Sequence, residues 1–309
     1  MAGFYCFADF EFTCGYGIDL SCCEMLSAGA VVCDESLELR DRFYLTACPV
    51  VRPKMTKQCK KLTKLSQEEI YASHDSSRVT GQMLKMLKKY DIRTVWVWGN
   101  FDSPALGSDA RCHKARGLDY VNIRKLQGMI TDIQRPLVKQ LGLPEAVSIK
   151  ELSAVFGYSP QSGEFHNALN DAEAFYTIYK AAYTTDISEN TALQELKEER
   201  LRKIIAARER AAQQRLETAL SLPLTDRERE YFSTLAEDSR ERELFVRIRA
   251  RVVRAQEEFA DGTPLVAFYF SDTRSVKVYQ EEGMPEVKTN RYTRSTRFIK
   301  GQPDIMELL

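Results

Sequence analysis

The chain has 309 residues, which is enough for about two domains of ordinary size. Its composition, with 44% hydrophobic and 28% charged residues, is typical of a folded globular protein and excludes collagen-like, low-complexity and fully disordered chains. The 44 basic residues balance the 44 acidic residues, which excludes a uniformly basic nucleic-acid-binding chain but allows local basic patches.

The N-terminus and the cysteines indicate the cellular compartment. The first residues reach Asp9 and Glu11 without the basic start and apolar core of a secretory signal. No apolar run approaches the ~20 residues of a membrane span, so we expect no membrane contact. All eight cysteines lie within the first 112 residues without a C-x-x-C pair, which excludes a disulfide scaffold and indicates reduced thiols. We expect a soluble, cytoplasmic protein; a zinc site that includes Cys59 and His113 is the less favoured alternative.

Hydrophobic patterns in chain order predict an α/β domain over residues 1–185. Strand signals come first and helical spacing follows, while the β-branched and aromatic run TVWVW predicts a buried strand. Strands are predicted at residues 4–10, 25–32, 39–45 and 94–98, and helices at 79–90, 103–115, 124–141, 148–156 and 167–183. Strands followed by strand–helix alternation indicate one mixed sheet.

The rest of the chain has a different pattern, which predicts a smaller, mainly helical region. A charged helix with an apolar stripe precedes the breaker SLPL, and Thr225 with Glu228 fits a capping box that starts a second helix. The stripe comprises Leu201, Ile204, Ile205, Ala211, Ala212, Leu216, Ala219 and Leu220, and the second helix is predicted to bury Phe245, Ile248, Val252 and Phe259. The segments LVAFYF and SVKVYQ then predict a β-hairpin. We predict an amphipathic helical pair at residues 186–262 and a β-hairpin with a basic tail at 263–309.

Asp9 and Glu11 are the first candidate site residues. Two positions apart in a strand, they point to the same face, where two like charges are costly unless a cation lies between them. Carboxylate oxygens suit Mg²⁺ or Mn²⁺. Because a D-x-E pair is also common on strands that face solvent, this pair alone leaves both interpretations open.

Two further segments carry acids. Asp102 follows the predicted strand TVWVW, where an ordinary helix start is the alternative. His166 and Asp171 are five residues apart, or about 140° around a helix, so they lie on different faces of one helix. They can share a site only if His166 lies in the loop before the helix and Asp171 in its first turns. The alternative for His166 is a helix cap or a surface position.

In this order and context, the three segments resemble the DEDDh branch of the DnaQ-like 3′→5′ exonucleases. The segment CKKLTKLSQEEI, at residues 59–70, looks like the C-x-x-L-T-x-I-x-Q-x-x-[VI] segment of the Eri-type subgroup. That subgroup includes the histone-mRNA 3′ exonuclease and bacterial exonucleases of the sporulation-kinase-inhibitor type. Trp98, Gly99 and Asp102 match its W-G-x-x-D motif.

The resemblance extends over residues 3–183 and implies an RNase H-like exonuclease domain with a mixed five-stranded sheet flanked by helices. The sequence departs from the family pattern at Lys64, where glycine is usual, at Leu65, where isoleucine is usual, and at Asn167, where arginine is common. These departures concern loop shape and substrate contact more than the chemistry.

The resemblance also implies two-metal hydrolysis of the terminal phosphodiester. Two Mg²⁺ or Mn²⁺ ions would lie about 4 Å apart, and His166 would take the proton from the attacking water. Glu11 would also contact the terminal 3′-hydroxyl. The implied metal ligands are Asp9, Glu11, Asp102 and Asp171. The implied contacts with the last nucleotide are Phe10, Phe12, Thr13, Leu62, Thr63, Asn100 and Phe101.

Local basic patches support a nucleic-acid substrate. Residues 42–67 contain seven basic and no acidic side chains, and residues 288–300 place basic side chains three apart with aromatic residues between them. A solvated loop and a solubilising tail are the alternatives. The predicted contacts with the nucleic-acid backbone are Lys54, Lys57, Lys60, Lys61, Lys64, Arg291, Arg294 and Arg297.

We therefore predict a metal-dependent 3′→5′ exonuclease that releases nucleoside 5′-monophosphates from single-stranded 3′ ends, of RNA more than of DNA. A DNA-directed proofreading or repair exonuclease is one alternative. A non-catalytic RNA-binding or regulatory module on the same fold is the other. The C-terminal helices have three candidate roles: packing on the nuclease domain, pairing two copies as a homodimer, or extending the RNA track.

Overall fold

The computed structural model describes residues 3–160, 165–258, 265–270, 275–280, 296–300 and 305–307. The strands are β1 (Phe4–Phe12), β2 (Met25–Asp34), β3 (Leu39–Thr46), β4 (Val95–Val97), β5 (Ile130–Asp132), β6 (Leu265–Phe270), β7 (Ser275–Gln280) and β8 (Thr296–Lys300). The helices are α1 (Lys57–Thr63), α2 (Gln67–Ala72), α3 (Ser76–Lys89), α4 (Asp102–Ala115), α5 (Val121–Gln127), α6 (Gln134–Gln140), α7 (Ile149–Val155), α8 (Ala168–Thr184), α9 (Thr191–Leu220), α10 (Asp226–Thr234) and α11 (Arg240–Glu258). Contacts divide the chain into two compact units, residues 1–201 and 202–309.

The first unit is built on a five-stranded sheet in the order β3-β2-β1-β4-β5. The first three strands form an antiparallel meander, in which Asp9 lies opposite Gly29. β4 is parallel to β1, with Trp96 opposite Phe7, and β5 is parallel to β4. This arrangement confirms the predicted mixed five-stranded sheet flanked by helices.

β1 lies in the middle of the sheet and has an apolar core on each face. Cys6, Ala8 and Phe10 pack on one side with buried residues of α3, α4 and α5. Phe7 points to the other side and packs with buried residues of α6, α7 and α8. Because side chains alternate along a strand, Asp9 and Glu11 share the face of Phe7, towards α8.

Two contacts determine where α8 lies on the sheet. The ring of Phe7 meets that of Phe175 edge to face, with centroids 5.0 Å apart. Near the start of the helix, the backbone lies so close to Gly29 that an added Cβ would be 2.2 Å from the carbonyl carbon of Ala168. Since Gly29 pairs with Asp9, this close approach brings the first turn of α8 beside the acidic end of β1.

The helix predicted at residues 124–141 is wrong, because this segment forms α5, the short strand β5 and α6. Val95 and Val97 of β4 pair with Ile130 and Asp132, so strand pairing overrides the local helical pattern. The side chain of Asp132 then accepts hydrogen bonds from the N–H groups of Gly99, at 2.9 Å, and Gln134, at 2.8 Å.

In the second unit, the predicted capping box at Thr225 and Glu228 is present and starts α10. The single helix predicted to follow it is wrong, since α10 ends at Thr234 and α11 begins at Arg240. Phe245, Ile248 and Val252 of α11 are buried as predicted, while Phe259 lies outside the described residues.

The predicted hairpin is confirmed by antiparallel pairing of β6 with β7, and β8 adds a third strand on the other side of β6. The apolar stripe predicted on α9 does not form one buried face, because Leu201, Ile205 and Leu220 are exposed. The contact boundary between the two units falls after Leu201, within α9, and the domain boundaries expected after residues 185 and 262 stay predictions. Among the described residues, no helix is long and apolar enough to cross a membrane.

Candidate active site

The acids of β1 lie at the carboxyl end of the central strand. Asp9 and Glu11 are half-buried on the face that α8 covers. Burial raises the pKa of Asp9 well above its usual range, and the charges of Glu11, Asp102 and Asp171 raise it further. Burial raises the pKa of Glu11 to about 8, with further contributions from Asp171 and Asp102. The ionised pair is therefore unfavourable unless positive charge is added.

Asp102 reaches the same place from the neighbouring strand. β4 runs parallel to β1, so the two strands end at the same edge of the sheet, and Asp102 begins α4 five residues after β4 ends. The turn between them uses Gly99 at φ +97°, a conformation that favours glycine. Asp102 is 5% exposed, and burial, together with the charge of Asp132, raises its pKa to about 7.

His166 and Asp171 come from the start of α8. Asn167 caps the helix by accepting hydrogen bonds from two backbone N–H groups, so His166 lies in the preceding loop and Asp171 in the first turn. This is the placement that their five-residue spacing requires. The backbone N–H of His166 donates to Asp171 Oδ2 at 2.8 Å. Burial raises the pKa of Asp171 to about 6, although this hydrogen bond opposes the shift.

These residues fit a divalent cation. One ligand atom from each of Glu11, His166 and Asp171 lies within 4.8 Å of the others, and Asp9 and Asp102 interact electrostatically with the same group. Removal of these carboxylates from water and their mutual repulsion create a demand for positive charge. Carboxylate oxygens of this kind suit a divalent cation.

The acids line a cleft of about 530 Å³. Of the residues predicted to contact nucleic acid or metal, the cleft brings together Asp9, Phe10, Glu11, Phe12, Thr13, Leu62, Thr63, Phe101, Asp102, His166 and Asp171. Asn100 is exposed and does not line it. The side chains of Lys54, Lys57, Lys60, Lys61 and Lys64 are exposed on α1 and the loops that flank it. Arg291 and Arg294, and the side chain of Arg297, lie outside the described residues.

Apolar side chains are exposed at the mouth of the cleft. The rings of Phe12 and Phe101 meet edge to face with centroids 5.9 Å apart, and Phe101 is 52% exposed. Leu62, from α1, is 38% exposed. Exposed aromatic and aliphatic surface beside buried acids suits a ligand with both a flat apolar part and a charged part.

Thr13 has a structural contact as well as a position in the cleft. Its hydroxyl accepts a hydrogen bond from the N–H of Glu24 at 3.0 Å. The buried carboxylate of Glu24 in turn accepts from the N–H groups of Val50, Val51 and Arg52, at 2.6 to 2.9 Å. These bonds hold the segment that leads into α1, and therefore position Leu62 and the neighbouring lysines.

Sequence reasoning missed several residues that line the cleft. These are Cys14, Gln134, Ser148, Ile149, Lys150 and Phe165. Trp98 Nε1 and Gln134 Nε2 both donate to the carbonyl oxygen of Val147 at 3.0 Å, which brings the start of α7 to the cleft. One signal in the sequence could have located these residues. Asp132 ends a short β-prone segment, and a strand parallel to β1 and β4 must end at the same edge of the sheet as they do.

Among the described residues, Cys59 and His113 do not belong to a common candidate metal cluster. Cys59 Sγ lies 3.1 Å from Cys14 Sγ, in a small core between α1 and the sheet. The ring nitrogens of His113 contact Ser76 Oγ at 2.8 Å and the carbonyl oxygen of Asp119 at 3.0 Å. Cys59 and His113 therefore have separate partners.

No protein-family model matches the chain, and no curated protein sequence matches it. Among solved structures, a 3′-exonuclease that recognises the histone mRNA stem-loop aligns with a TM-score of 0.50 and 18% identity, over 58% of this chain and 63% of that protein. The chain thus spans less than two thirds of that protein. The nuclease domain of a DEDDh 3′-exonuclease bound to rAMP aligns with a TM-score of 0.44 and 18% identity, over 58% and 90% of the two chains. The zinc-bound E. coli exonuclease I complex with single-stranded DNA aligns with a TM-score of 0.44 and 10% identity, over 86% and 48%. The first alignment shows that this chain has the fold of that 3′-exonuclease.

Proposed function

We propose that this protein is a divalent-metal-dependent 3′→5′ exonuclease that releases nucleoside 5′-monophosphates from single-stranded 3′ ends, with RNA preferred. The observation that carries the proposal is the meeting of four carboxylates and one histidine in a single cleft. Asp9, Glu11, Asp102, His166 and Asp171 all line it, although they come from three separate parts of the chain. A purely structural cluster of buried acids would have positive side chains to balance the charge; here burial raises the pKa of each acid, and neighbouring carboxylates raise the pKa of Asp9, Glu11 and Asp102 further.

Asp9, Glu11, Asp102 and Asp171 would hold two Mg²⁺ or Mn²⁺ ions. When bound, such ions lower the pKa of a water molecule and stabilise the leaving 3′-oxygen of a phosphodiester. The chain places the four carboxylates. Asp9, Glu11 and Asp102 lie at the edge of the sheet where β1 and β4 end, and Asp171 lies in the first turn of α8. The chain also buries Asp102 and Asp171, which strengthens their interaction with cations.

His166 would act as the general base. Its side chain is exposed at the cleft, where it can approach a water molecule, and its backbone is held by Asp171 at 2.8 Å. A ring nitrogen of His166 would accept the proton that the attacking water loses. General-base assistance of this kind is worth about 10²- to 10⁴-fold in rate.

The last nucleotide would lie between the acids and the aromatic mouth of the cleft. Phe101, which is 52% exposed and packs edge to face with the buried Phe12, offers a ring surface for the base, and such contacts tolerate any base. Lys150 is exposed at the cleft and would contact a phosphate. The exposed lysines of α1 would contact the phosphates of the strand on the 5′ side of its last nucleotide.

The preference for RNA rests on the segment at residues 59–70, which resembles that of the Eri-type subgroup. Leu62 and Thr63 of this segment line the cleft. A protein tells RNA from DNA by the 2′-hydroxyl, which both donates and accepts hydrogen bonds. Activity on DNA at an equal or higher rate would support the DNA-directed alternative.

The test follows a 5′-labelled single-stranded RNA with Mg²⁺ or Mn²⁺, beside DNA of the same sequence. We expect a ladder that shortens from the 3′ end and disappears in EDTA and in Asp102→Asn. Glu209→Gln, an exposed acid in α9, is the matched control and should keep full activity. A fully active Asp102→Asn would refute the site assignment, while binding without cleavage would support the non-catalytic module.

Homodimer formation through the C-terminal helices stays a prediction that light scattering can test.

A further inference from the structure

A basic groove lies between α3 and α5, away from the acids of the cleft. It has a volume of about 650 Å³ and is lined by Arg78, Gly81, Gln82, Leu84, Lys85, Lys88, Asn122 and Lys125. The four cationic side chains are exposed, and no acid is among these lining residues. Because the net charge of the chain is zero, this groove is a local excess of positive charge.

The three lysines of the groove form no ion pair with the acids that the structure describes. The neighbouring Lys89 binds Asp41 at 2.9 Å, but within the described part of the chain no carboxylate lies at ion-pair distance from Lys85, Lys88 or Lys125. Arg78 lies at the end of the groove, where it borders a second hollow that contains acids. The uncompensated charge is therefore centred on the three lysines.

A side-chain contact joins the two helices beneath the groove. An added Cβ at Gly81 would lie 2.9 Å from Asn122 Nδ2, so glycine at this position leaves room for the amide of Asn122. Asn122 Nδ2 also donates to the carbonyl oxygen of Ser77 at 3.3 Å. Lys85 of α3 and Lys125 of α5 both line the groove that these contacts hold together.

The helix that carries Lys125 is joined to the helix that carries Asp102. Gln127, the last residue of α5, donates from Nε2 to the carbonyl oxygen of Ser103 at 2.9 Å, and Ser103 follows Asp102 at the start of α4. The groove and the cleft therefore lie on elements that contact each other directly.

We propose that this groove is a second nucleic-acid contact, which binds the phosphodiester backbone of the strand whose 3′ end enters the cleft. Arg78 and Lys88 are ten residues apart on α3, or about 15 Å along the helix axis, so the groove is long enough to contact more than one phosphate of a strand. No aromatic side chain lines the groove, so it contacts phosphates without stacking bases. This proposal rests on the proposed function for the identity of the polymer, but binding can be measured without cleavage.

The test compares Lys85→Gln/Lys88→Gln/Lys125→Gln with a control, Arg93→Gln/Lys139→Gln/Arg210→Gln, that removes three exposed charges elsewhere. The probe is a fluorescein-labelled long oligouridylate in EDTA, with binding measured by anisotropy across salt concentrations. Loss of three phosphate contacts should reduce the slope of log K against log salt by about 2, since each contributes about 0.7 on a single strand. The control should keep the wild-type slope. With Mg²⁺, cleavage of an oligouridylate short enough to fill only the cleft should be unchanged in both variants.

Equal slopes for the groove variant and the control would overturn the groove proposal alone, provided that wild type binds and cleaves. If wild type binds no oligonucleotide even at low salt, the groove proposal and the proposed function both fail. A duplex of the same length, measured in parallel, identifies which backbone geometry the groove prefers, with an expected slope change of about 2.7 for three contacts.

Discussion

Replacement of Asp102 by asparagine should stabilise the protein when no metal is present. Burial raises the pKa of Asp102 from 3.8 to about 7, so the folded state retains a proton that the unfolded state has lost. Between these pH values the folded state binds more protons, and its stability therefore falls as the pH rises. At about 1.36 kcal/mol for each pKa unit, the full shift corresponds to roughly 4 kcal/mol above pH 7.

The asparagine variant removes this charge and keeps the shape of the side chain. The amide is also polar and buried, so part of the desolvation cost remains, and we expect about 2 kcal/mol of stabilisation at about pH 8. For a domain of this size the gain corresponds to roughly 4–8 °C in Tm. At about pH 5, where the wild-type carboxyl is largely protonated in the folded state, the gain should be less than half as large.

The assay is thermal or urea unfolding in EDTA at the two pH values, repeated with Mn²⁺. With Mn²⁺ the order should reverse, because the variant has lost a ligand and gains less from binding the ion. Glu209→Gln should stay within about 0.5 kcal/mol of wild type throughout. The reasoning is refuted if Asp102→Asn is no more stable than wild type in EDTA at the higher pH, or if the gain does not depend on pH.

Three other variants test the packing, the substrate contact and the base. Gly29→Ala should displace the first turn of α8 and lower both Tm and activity, because the new Cβ would lie 2.2 Å from the backbone of that turn. Gly128→Ala is the control and should lower neither, because its Cβ would lie 3.5 Å from the nearest atom. Phe101→Ala should leave stability within about 0.5 kcal/mol of wild type but weaken oligonucleotide binding by about 1–3 kcal/mol, whereas the exposed Tyr16→Ala should have no effect on anisotropy-measured affinity. His166→Ala should lower the single-turnover cleavage rate by about 10²- to 10⁴-fold with unchanged affinity for RNA, and a rate equal to that of wild type would contradict the assigned role of this residue.

Local patterns predicted much of the fold and of the candidate site. The two-residue spacing of Asp9 and Glu11 is enough to put both side chains on one face of β1. Likewise, the angle between His166 and Asp171 on a helix required the histidine to precede α8, as the structure has it. Such inferences succeed because a strand or a helix imposes its own period on nearby residues.

Local patterns failed where pairing over long distances decided the structure. Residues 130–132 became a strand only because β4 lies beside them, and three residues are too few to show a period. The arrival of Gln134 and Lys150 at the cleft depends on that strand and on the carbonyl oxygen of Val147. The exposed apolar positions of α9 show the converse, since an apolar stripe predicts a buried face only if a partner covers it.

The sequence by itself determined which chemical groups this protein can bring together: four acids, a histidine, and the periodicities that orient each of them. Only the tertiary structure decided that these groups share one cleft, because the contacts of Gly29 with α8 and of Phe7 with Phe175 join segments far apart in the chain. The basic groove between α3 and α5 has the same origin. Its charges come from two helices that are in contact at Gly81 and Asn122, and no local period encodes this pairing.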